Sequence, residues 1–300
     1  MQRMRGFTLV ELVMVIALAA VVAVMVSTVM SRPLESFVAQ SRRAELTDLA
    51  ANALERMVRE IRQAVPNSLR SINGDQGLEL LPIHEAGRYR GNQIDLDPVT
   101  GAHLPNALRH DPPRCLGDTC RIDVLSPTLS AASVKAARWM VIYNIGAGSA
   151  SAPQAGGNVW AYGNPGVITP AGVAFDLASP SGQQLVLSGA QLDGFGFAYA
   201  SPQHRFYLVR EVLGFRCVSP GELDGNGTGR LERAAFDDLD IDAGDYAARS
   251  RMLANHVSAC SIRYQSGTHA RNGLVTIQLE IMKDGEKVNL LRQVHVDNAP

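Results

Sequence analysis

The segment RGFTLVELVMVIALAAVVAVMV (residues 5–26) contains a single carboxylate, Glu11, at the edge of an otherwise apolar stretch. Residues 12–26 are all apolar, and Ser27 and Thr28 can extend the run to Met30. A helix needs about 20 such residues to cross the hydrocarbon core of a bilayer. The stretch therefore predicts a transmembrane helix. Glu11 needs its own explanation, because a carboxylate in lipid costs a few kcal/mol or more.

Two arginines, Arg3 and Arg5, precede the apolar run. Positively charged residues stay on the cytoplasmic side of a membrane, so we expect a cytoplasmic N-terminus and a C-terminal domain outside the cytoplasm. A secretory signal peptide is the alternative, but its apolar core is usually shorter and ends at a small-x-small cleavage site. The residues around Ser27 offer no convincing site of that kind, and the helical pattern continues beyond them.

A second helical pattern follows the apolar run. Apolar residues recur three and four positions apart from Leu46 to Val65, and charged residues occupy the opposite face. Pro66 is expected to end this amphipathic helix. The sequence thus divides into a leader (1–6), a transmembrane helix (7–31), an amphipathic helix that continues into the soluble domain (32–66) and a β-rich domain outside the cytoplasm (67–300).

Composition limits the classes of function. With 300 residues, of which 46% are hydrophobic and 19% charged, the chain suits one large or two small globular domains plus an anchor. Its net charge of −1 provides no whole-chain electrostatic argument for binding nucleic acid.

Beyond Pro66, short strand-like runs alternate with Gly, Pro, Asn and Asp. The strand predicted at 274–282 has apolar residues at every second position, so we expect one of its faces to be buried against the long helix. These residues are Val275, Ile277, Leu279 and Ile281. Asp284-Gly285 favours a two-residue hairpin turn after this strand. The predicted fold class is α+β, a long N-terminal helix followed by a mainly antiparallel β domain. The candidate strands are 78–83, 93–96, 121–125, 138–143, 159–162, 173–177, 185–187, 194–199, 206–212, 214–218, 257–264, 274–282 and 288–295.

Cysteines occur in an even number, which in an exported chain predicts two disulfides. The first two can close a small loop, and the last two would close a loop of 43 positions. A zinc site that combines cysteines with His103 and His110 is the alternative, but the spacing matches no common template. The four cysteines are Cys115, Cys120, Cys217 and Cys260.

The segment DGNGTGRLE (residues 224–232) is similar to the start of an EF-hand calcium loop. Its candidate ligands are Asp224, Asn226, Thr228 and Glu232. Ala235 stands where the loop normally has a bidentate glutamate, so we expect at most weak calcium binding. A solvent-exposed hairpin tip is the alternative interpretation. No other cofactor is expected.

No catalytic motif is recognisable. The sequence contains no G-x-S-x-G, no H-E-x-x-H and no phosphate-binding glycine loop, and its seven histidines are scattered singly. We therefore expect no catalytic residue. A membrane-anchored periplasmic enzyme remains a weaker alternative.

The segment RGFTLVE (residues 5–11), with the apolar run behind it, closely resembles the class III signal of type IV prepilins and type II secretion pseudopilins. The resemblance implies that a prepilin peptidase cuts between Gly6 and Phe7 and methylates the new N-terminus. It also implies that Glu11, the fifth residue of the mature chain, neutralises the N-terminal amine of a neighbouring subunit during assembly. The expected partners are this peptidase, other major and minor pilins, and the assembly machinery of the bacterial inner membrane.

Residues 53–68 resemble the end of the long helix in the MshO group of minor pilin-like proteins, named for biogenesis of the mannose-sensitive haemagglutinin (MSHA) pilus. Residues 255–260 and 293–298 show a second likeness to this group. The resemblance implies a minor pilin-like subunit of a type IV pilus, single-pass in the inner membrane and available for incorporation into a filament. A larger minor pseudopilin of a type II secretion system is the alternative within the same class.

Overall fold

A 54-residue helix, α1 (Leu9–Arg62), begins the fold. The computed structural model describes residues 8–91, 115, 117–178, 184–267 and 271–299, without the side chains of residues 28–36. At 1.5 Å per residue, α1 is about 81 Å long. Its N-terminal half projects beyond the β domain and its C-terminal half packs on it, so one helix carries both predicted helical segments.

Within the described residues, two short α-helices and fifteen strands follow α1. The helices are α2 (Ala131–Lys135) and α3 (Ala243–Arg249). The first eight strands are β1 (Arg70–Ile72), β2 (Gly77–Leu80), β3 (Glu85–Tyr89), β4 (Thr119–Ser126), β5 (Trp139–Val141), β6 (Ala174–Leu177), β7 (Gln184–Ser188) and β8 (Arg205–Val209). The others are β9 (Val212–Val218), β10 (Glu222–Leu223), β11 (Asn226–Gly227), β12 (Gly229–Phe236), β13 (Arg251–Gln265), β14 (Gly273–Lys283) and β15 (Glu286–Val296).

In the part of the chain that the structure describes, the strands form two large sheets and one small hairpin. The larger sheet has the order β1-β2-β9-β12-β13-β14-β15, the second has the order β5-β8-β3-β4-β7-β6, and β10 pairs with β11. All of these named strands pair antiparallel. The predicted fold class, an N-terminal apolar helix followed by a mainly antiparallel β domain, is confirmed.

Helix α1 packs its apolar face on the seven-stranded sheet. Leu54, Met57 and Ile61 are completely buried there, among the inward-facing residues of β14. All four alternating residues predicted to face the core, Val275, Ile277, Leu279 and Ile281, belong to the same cluster. Burying a large apolar side chain contributes about 1.5–3 kcal/mol, so this interface is a main source of stability for the domain.

The helix ends three residues earlier than the apolar pattern predicts. Gln63 caps it, and the Val65 amide donates to the Leu81 carbonyl at 2.8 Å instead of continuing the helical ladder. Val65 precedes Pro66, and a residue before proline is disfavoured in helical geometry. The chain therefore leaves α1 along the bridge between Ala64 and Pro82.

A third core cluster joins the two sheets. Trp139 and Val141 of β5, with Val209 of β8, pack against Val212 and Phe236 of the larger sheet. A separate core cluster, which includes Phe195 and Phe206, packs on the six-stranded sheet.

Several strand predictions need correction. Residues 159–162 form a turn instead of a strand, because Trp160 is held by a hydrogen bond from its indole Nε1 to the Ser68 carbonyl at 2.9 Å. Residues 194–199 contain only isolated bridging residues. Strands β3 and β12, and the short strands β1, β10 and β11, are absent from the predicted set. The candidate strand at 93–96 lies outside the described residues.

Candidate anchoring and assembly site

The N-terminus of α1 is capped by Thr8. Its hydroxyl accepts a hydrogen bond from the Glu11 amide at 3.3 Å, and its carbonyl accepts from the amides of Glu11 and Leu12. This arrangement puts the Glu11 carboxylate in the first helical turn, where the helix dipole favours negative charge. Gly6 and Phe7, the residues of the predicted cleavage site, lie outside the described residues.

An exposed apolar segment follows the cap. Residues Leu9–Ser27 have a mean hydropathy of 2.9, and none of this segment is buried inside the protein. Leu9 is 79% exposed and Leu18 is 65% exposed. An apolar surface of this length requires lipid or partner helices around it, because its exposure to water is energetically unfavourable. The segment is long and apolar enough to cross a membrane, which fits a single-pass anchor.

A hairpin clasp fixes α1 to the domain below the anchor. We define it as the three ion pairs between α1 and the turn that joins β14 to β15. The turn itself is the predicted Asp284-Gly285 hairpin, closed by pairing of Lys283 with Glu286. Each pair is solvent-exposed and so contributes only about 0–1 kcal/mol, but together they orient the helix. The pairs are Arg42–Asp284 at 3.5 Å, Arg43–Glu286 at 3.3 Å and Glu45–Lys283 at 3.4 Å.

A less exposed ion pair holds the other end of the helix. Arg233 of β12 donates to the Glu60 carboxylate at 2.8 Å, and each side chain is 18% exposed. Neither this pair nor the hairpin clasp was found from sequence. The alternation of charge on α1 was visible, but the partners are 173 to 243 positions away in the chain.

Both predicted disulfides are present in the structure. Cys115 is bonded to Cys120, and Cys217 is bonded to Cys260. The second bond connects β9 with β13, which flank β12 in the larger sheet, and closes the predicted 43-position loop. Bonded sulfurs are not free to bind zinc as thiolates, and His103 and His110 of the alternative zinc site lie outside the described residues.

Three of the four candidate calcium ligands have side chains that already contact other protein groups. Asn226 accepts from the Asp284 amide at 3.0 Å, and Thr228 donates to the Ser219 carbonyl at 3.4 Å. Glu232 lies on β12 and pairs with arginines, whereas Asp224 occupies the tip of the β10–β11 hairpin. Within the described parts of the chain, no group of three or more His, Cys, Asp or Glu side chains is placed to hold a metal ion. The calcium interpretation gains no support from this geometry.

Glu232 instead forms a charged cluster on the larger sheet. Its carboxylate accepts from Arg216 at 2.9 Å and also from Arg230. Burial alone raises the pKa of Glu232, but the hydrogen bonds from Arg230 and Arg216 outweigh burial and leave this pKa below its usual value. A carboxylate with a lowered pKa in the folded state stabilises the protein above its unfolded-state pKa. That stabilisation is lost as the pH falls through the folded-state pKa.

We therefore expect Glu232→Gln to reduce the acid sensitivity of the domain. The free energy of unfolding, measured by denaturant titration from pH 7 down to pH 3, should fall less steeply for the variant than for the parent protein. At pH 7 the variant should be the less stable of the two, because two arginines lose their charged partner. Parallel pH curves for variant and parent would contradict this prediction.

One comparison with known proteins bears on this site. A family model, the prokaryotic N-terminal methylation motif, matches residues 1–27. No curated protein and no solved structure matches the chain. The matched motif supports a type IV pilin-like or pseudopilin protein and implies processing by a prepilin peptidase and pilin-type assembly. It covers the leader and the anchor, and leaves the β domain unassigned.

Proposed function

We propose that this chain is a minor pilin-like subunit of an MSHA-type type IV pilus. The combination of the methylation motif with one helix that is exposed and apolar at its start and docked on a β domain at its end supports a pilin-like subunit. The MSHA-type assignment rests on the resemblance of residues 53–68, 255–260 and 293–298 to the MshO group. Before assembly, the subunit resides in the bacterial inner membrane with its β domain in the periplasm. The proposed role needs neither catalytic turnover nor a cofactor.

In the proposed mechanism, α1 is the element through which the subunit packs into the filament. The apolar segment Leu9–Ser27 moves from lipid into a bundle of equivalent helices, so its exposed surface stays out of water throughout. Glu11 then pairs with the N-terminal amine of an adjacent subunit, which offsets the cost of placing a carboxylate among apolar helices. The partners are prepilin peptidase, other major and minor pilins, and the inner-membrane assembly machinery.

A larger minor pseudopilin of a type II secretion system is the second candidate, because it would use the same leader and helix. Deleting the gene distinguishes the two functions. Loss of surface pili with normal protein secretion supports the pilus role. Loss of secretion with normal pili supports the secretion role.

Processing provides a direct test of the family assignment. We expect the mature protein to begin at Phe7 with a methylated amine, which mass spectrometry of the N-terminal peptide measures. Gly6→Ala should slow cleavage only mildly, whereas a bulky residue such as valine at position 6 should block it. An intact Met1 in the parent protein, or a cut beyond Val26, would overturn the pilin interpretation.

A further inference from the structure

Two arginines stand side by side on the six-stranded sheet. Arg88 of β3 lies directly opposite Arg205 of β8 and, on its other side, opposite Ser126 of β4. Directly opposite residues of antiparallel strands project from the same face, with Cβ atoms about 4.5–5.5 Å apart. The sheet therefore presents two guanidinium groups and a hydroxyl in one row.

This arrangement is unfavourable without an anion, because like charges directly opposite each other destabilise a sheet. Other arginines nearby have acidic partners, such as Arg90 with Asp123 and Arg138 with Asp237. Within the described residues, by contrast, no carboxylate forms an ion pair with Arg88 or Arg205 within 4 Å. The row thus carries two positive charges that no ion pair within the described part of the protein neutralises.

One acidic residue, Asp297, has an electrostatic effect on Tyr207, which lines the same cleft as this row. Burial is the main cause of the raised pKa of the Tyr207 hydroxyl; Arg205 opposes that rise and Asp297 adds to it. The Asp297 carboxylate, however, accepts a hydrogen bond from the Ala299 amide at 3.0 Å and forms no ion pair with Arg205.

The row borders an open cleft of about 360 Å³. Ala86 and Pro127 contribute apolar surface beside the charged groups, and Tyr207 closes one side. Tyr207 is only 8% exposed and belongs to the core cluster that joins the two sheets. A ligand in this cleft would meet positive donors at one end and carbon atoms at the other.

We propose that Arg88 and Arg205 form a binding site for an oxyanion, carboxylate or phosphate, carried by a small apolar body. A guanidinium group presents planar donors that match two oxygens of such an anion, and its hydrogen bonds to a charged acceptor are stronger than neutral ones. Ser126 supplies a further hydroxyl. The site lies on the β domain, away from the anchoring helix, and stands independently of the proposed role in a filament.

Thermal unfolding of the full-length chain in detergent tests this proposal. The probes are inorganic phosphate, phenyl phosphate, acetate and phenylacetate, each titrated at constant ionic strength against chloride. A ligand that binds only the folded state raises the melting temperature. At 50 mM we expect a rise of about 2 °C with the best probe, and a larger rise with an aryl-bearing anion than with the corresponding simple anion. Comparing the phosphate pair with the carboxylate pair identifies the preferred anion.

Variants make the test specific. Arg88→Gln, Arg205→Gln and the double variant should lose the rise, and Arg88→Gln should melt no lower than the parent in chloride because the like-charge contact is gone. Arg121→Gln, which removes an exposed arginine from β4 of the same sheet, should keep the full rise. No rise in the parent with any probe, or an equal rise in the double variant, would overturn the proposal.

Discussion

In a strain that carries Glu11→Ala, we expect few or no filaments although the subunit is made, processed and inserted normally. The proposed pairing puts this carboxylate against the N-terminal amine of a neighbouring subunit in a low-dielectric setting. Removing one member of a buried pair costs roughly 3–5 kcal/mol, because the remaining charge is left without a partner. The folded monomer should be unaffected, since alanine makes the span more apolar and the β domain packs on the distant half of α1.

The measurements are filament number by electron microscopy, co-purification with other pilins, and the membrane level of the processed subunit. Glu11→Asp should be intermediate, because the charge is kept on a side chain one methylene shorter. Glu55→Ala is the matched control, since it removes an exposed carboxylate from the part of α1 that lies along the β domain. Filaments at the parental level in Glu11→Ala would show that this carboxylate has no essential pairing role. A reduced amount of monomer would assign it to insertion or stability.

The second large effect is expected from Glu79→Ala, which should strongly destabilise the β domain. Glu79 is 2% exposed and accepts from Arg70 at 2.7 Å and from the Tyr246 hydroxyl at 2.9 Å. Burial is the main cause of the raised pKa of Tyr246, and a raised pKa keeps its hydroxyl protonated and able to donate. Alanine removes the acceptor of the Tyr246 hydroxyl and the charged partner of Arg70, whose guanidinium group lies 3.7 Å over the Trp160 ring and keeps only the Leu239 carbonyl as an acceptor.

We expect Glu79→Ala to lower the free energy of unfolding by about 3–5 kcal/mol, the cost of breaking a buried ion pair by removing one partner. The melting temperature should fall by roughly 10 °C, measured by calorimetry or circular dichroism. Asp75→Ala is the matched control, because Asp75 pairs with Arg263 in the open, with side chains 58% and 65% exposed, and should lose less than about 1 kcal/mol. Equal losses in the two variants would contradict the assignment of Glu79 as a buried anchor.

Recognition from sequence depended on how regular each local pattern is. The stripe that includes Leu54 and Met57, and the alternation from Val275 to Ile281, run for several repeats without interruption, and both are buried as predicted. Strand β12 was missed because its sequence, GRLERAAF, mixes charged residues into the buried strand, where Arg216 neutralises Glu232. Strand β3 was missed because it has only five residues and a central glycine.

Residues 159–162 show the opposite error. Valine, tryptophan and tyrosine favour strands, but the carbonyl of Ser68 and the guanidinium group of Arg70 hold Trp160 in a turn. Neither partner can be identified from the local sequence, because Ser68 is 92 positions away. Tertiary contacts outweigh β propensity whenever such specific partners are present.

The sequence by itself determined the features that a single continuous segment encodes: the apolar span, the position of Glu11, the buried face of α1 and the turn at Asp284-Gly285. Periodicity predicts which side of a helix or strand is buried, and a short motif predicts a turn or a processing site from adjacent residues alone. Only the tertiary structure decided which distant residues become neighbours, as in the hairpin clasp, the pairing of Glu79 with Tyr246, and the row formed by Arg88 and Arg205. Those contacts depend on strand order and register, and a shift of one residue in register would send each side chain to the other face of its sheet.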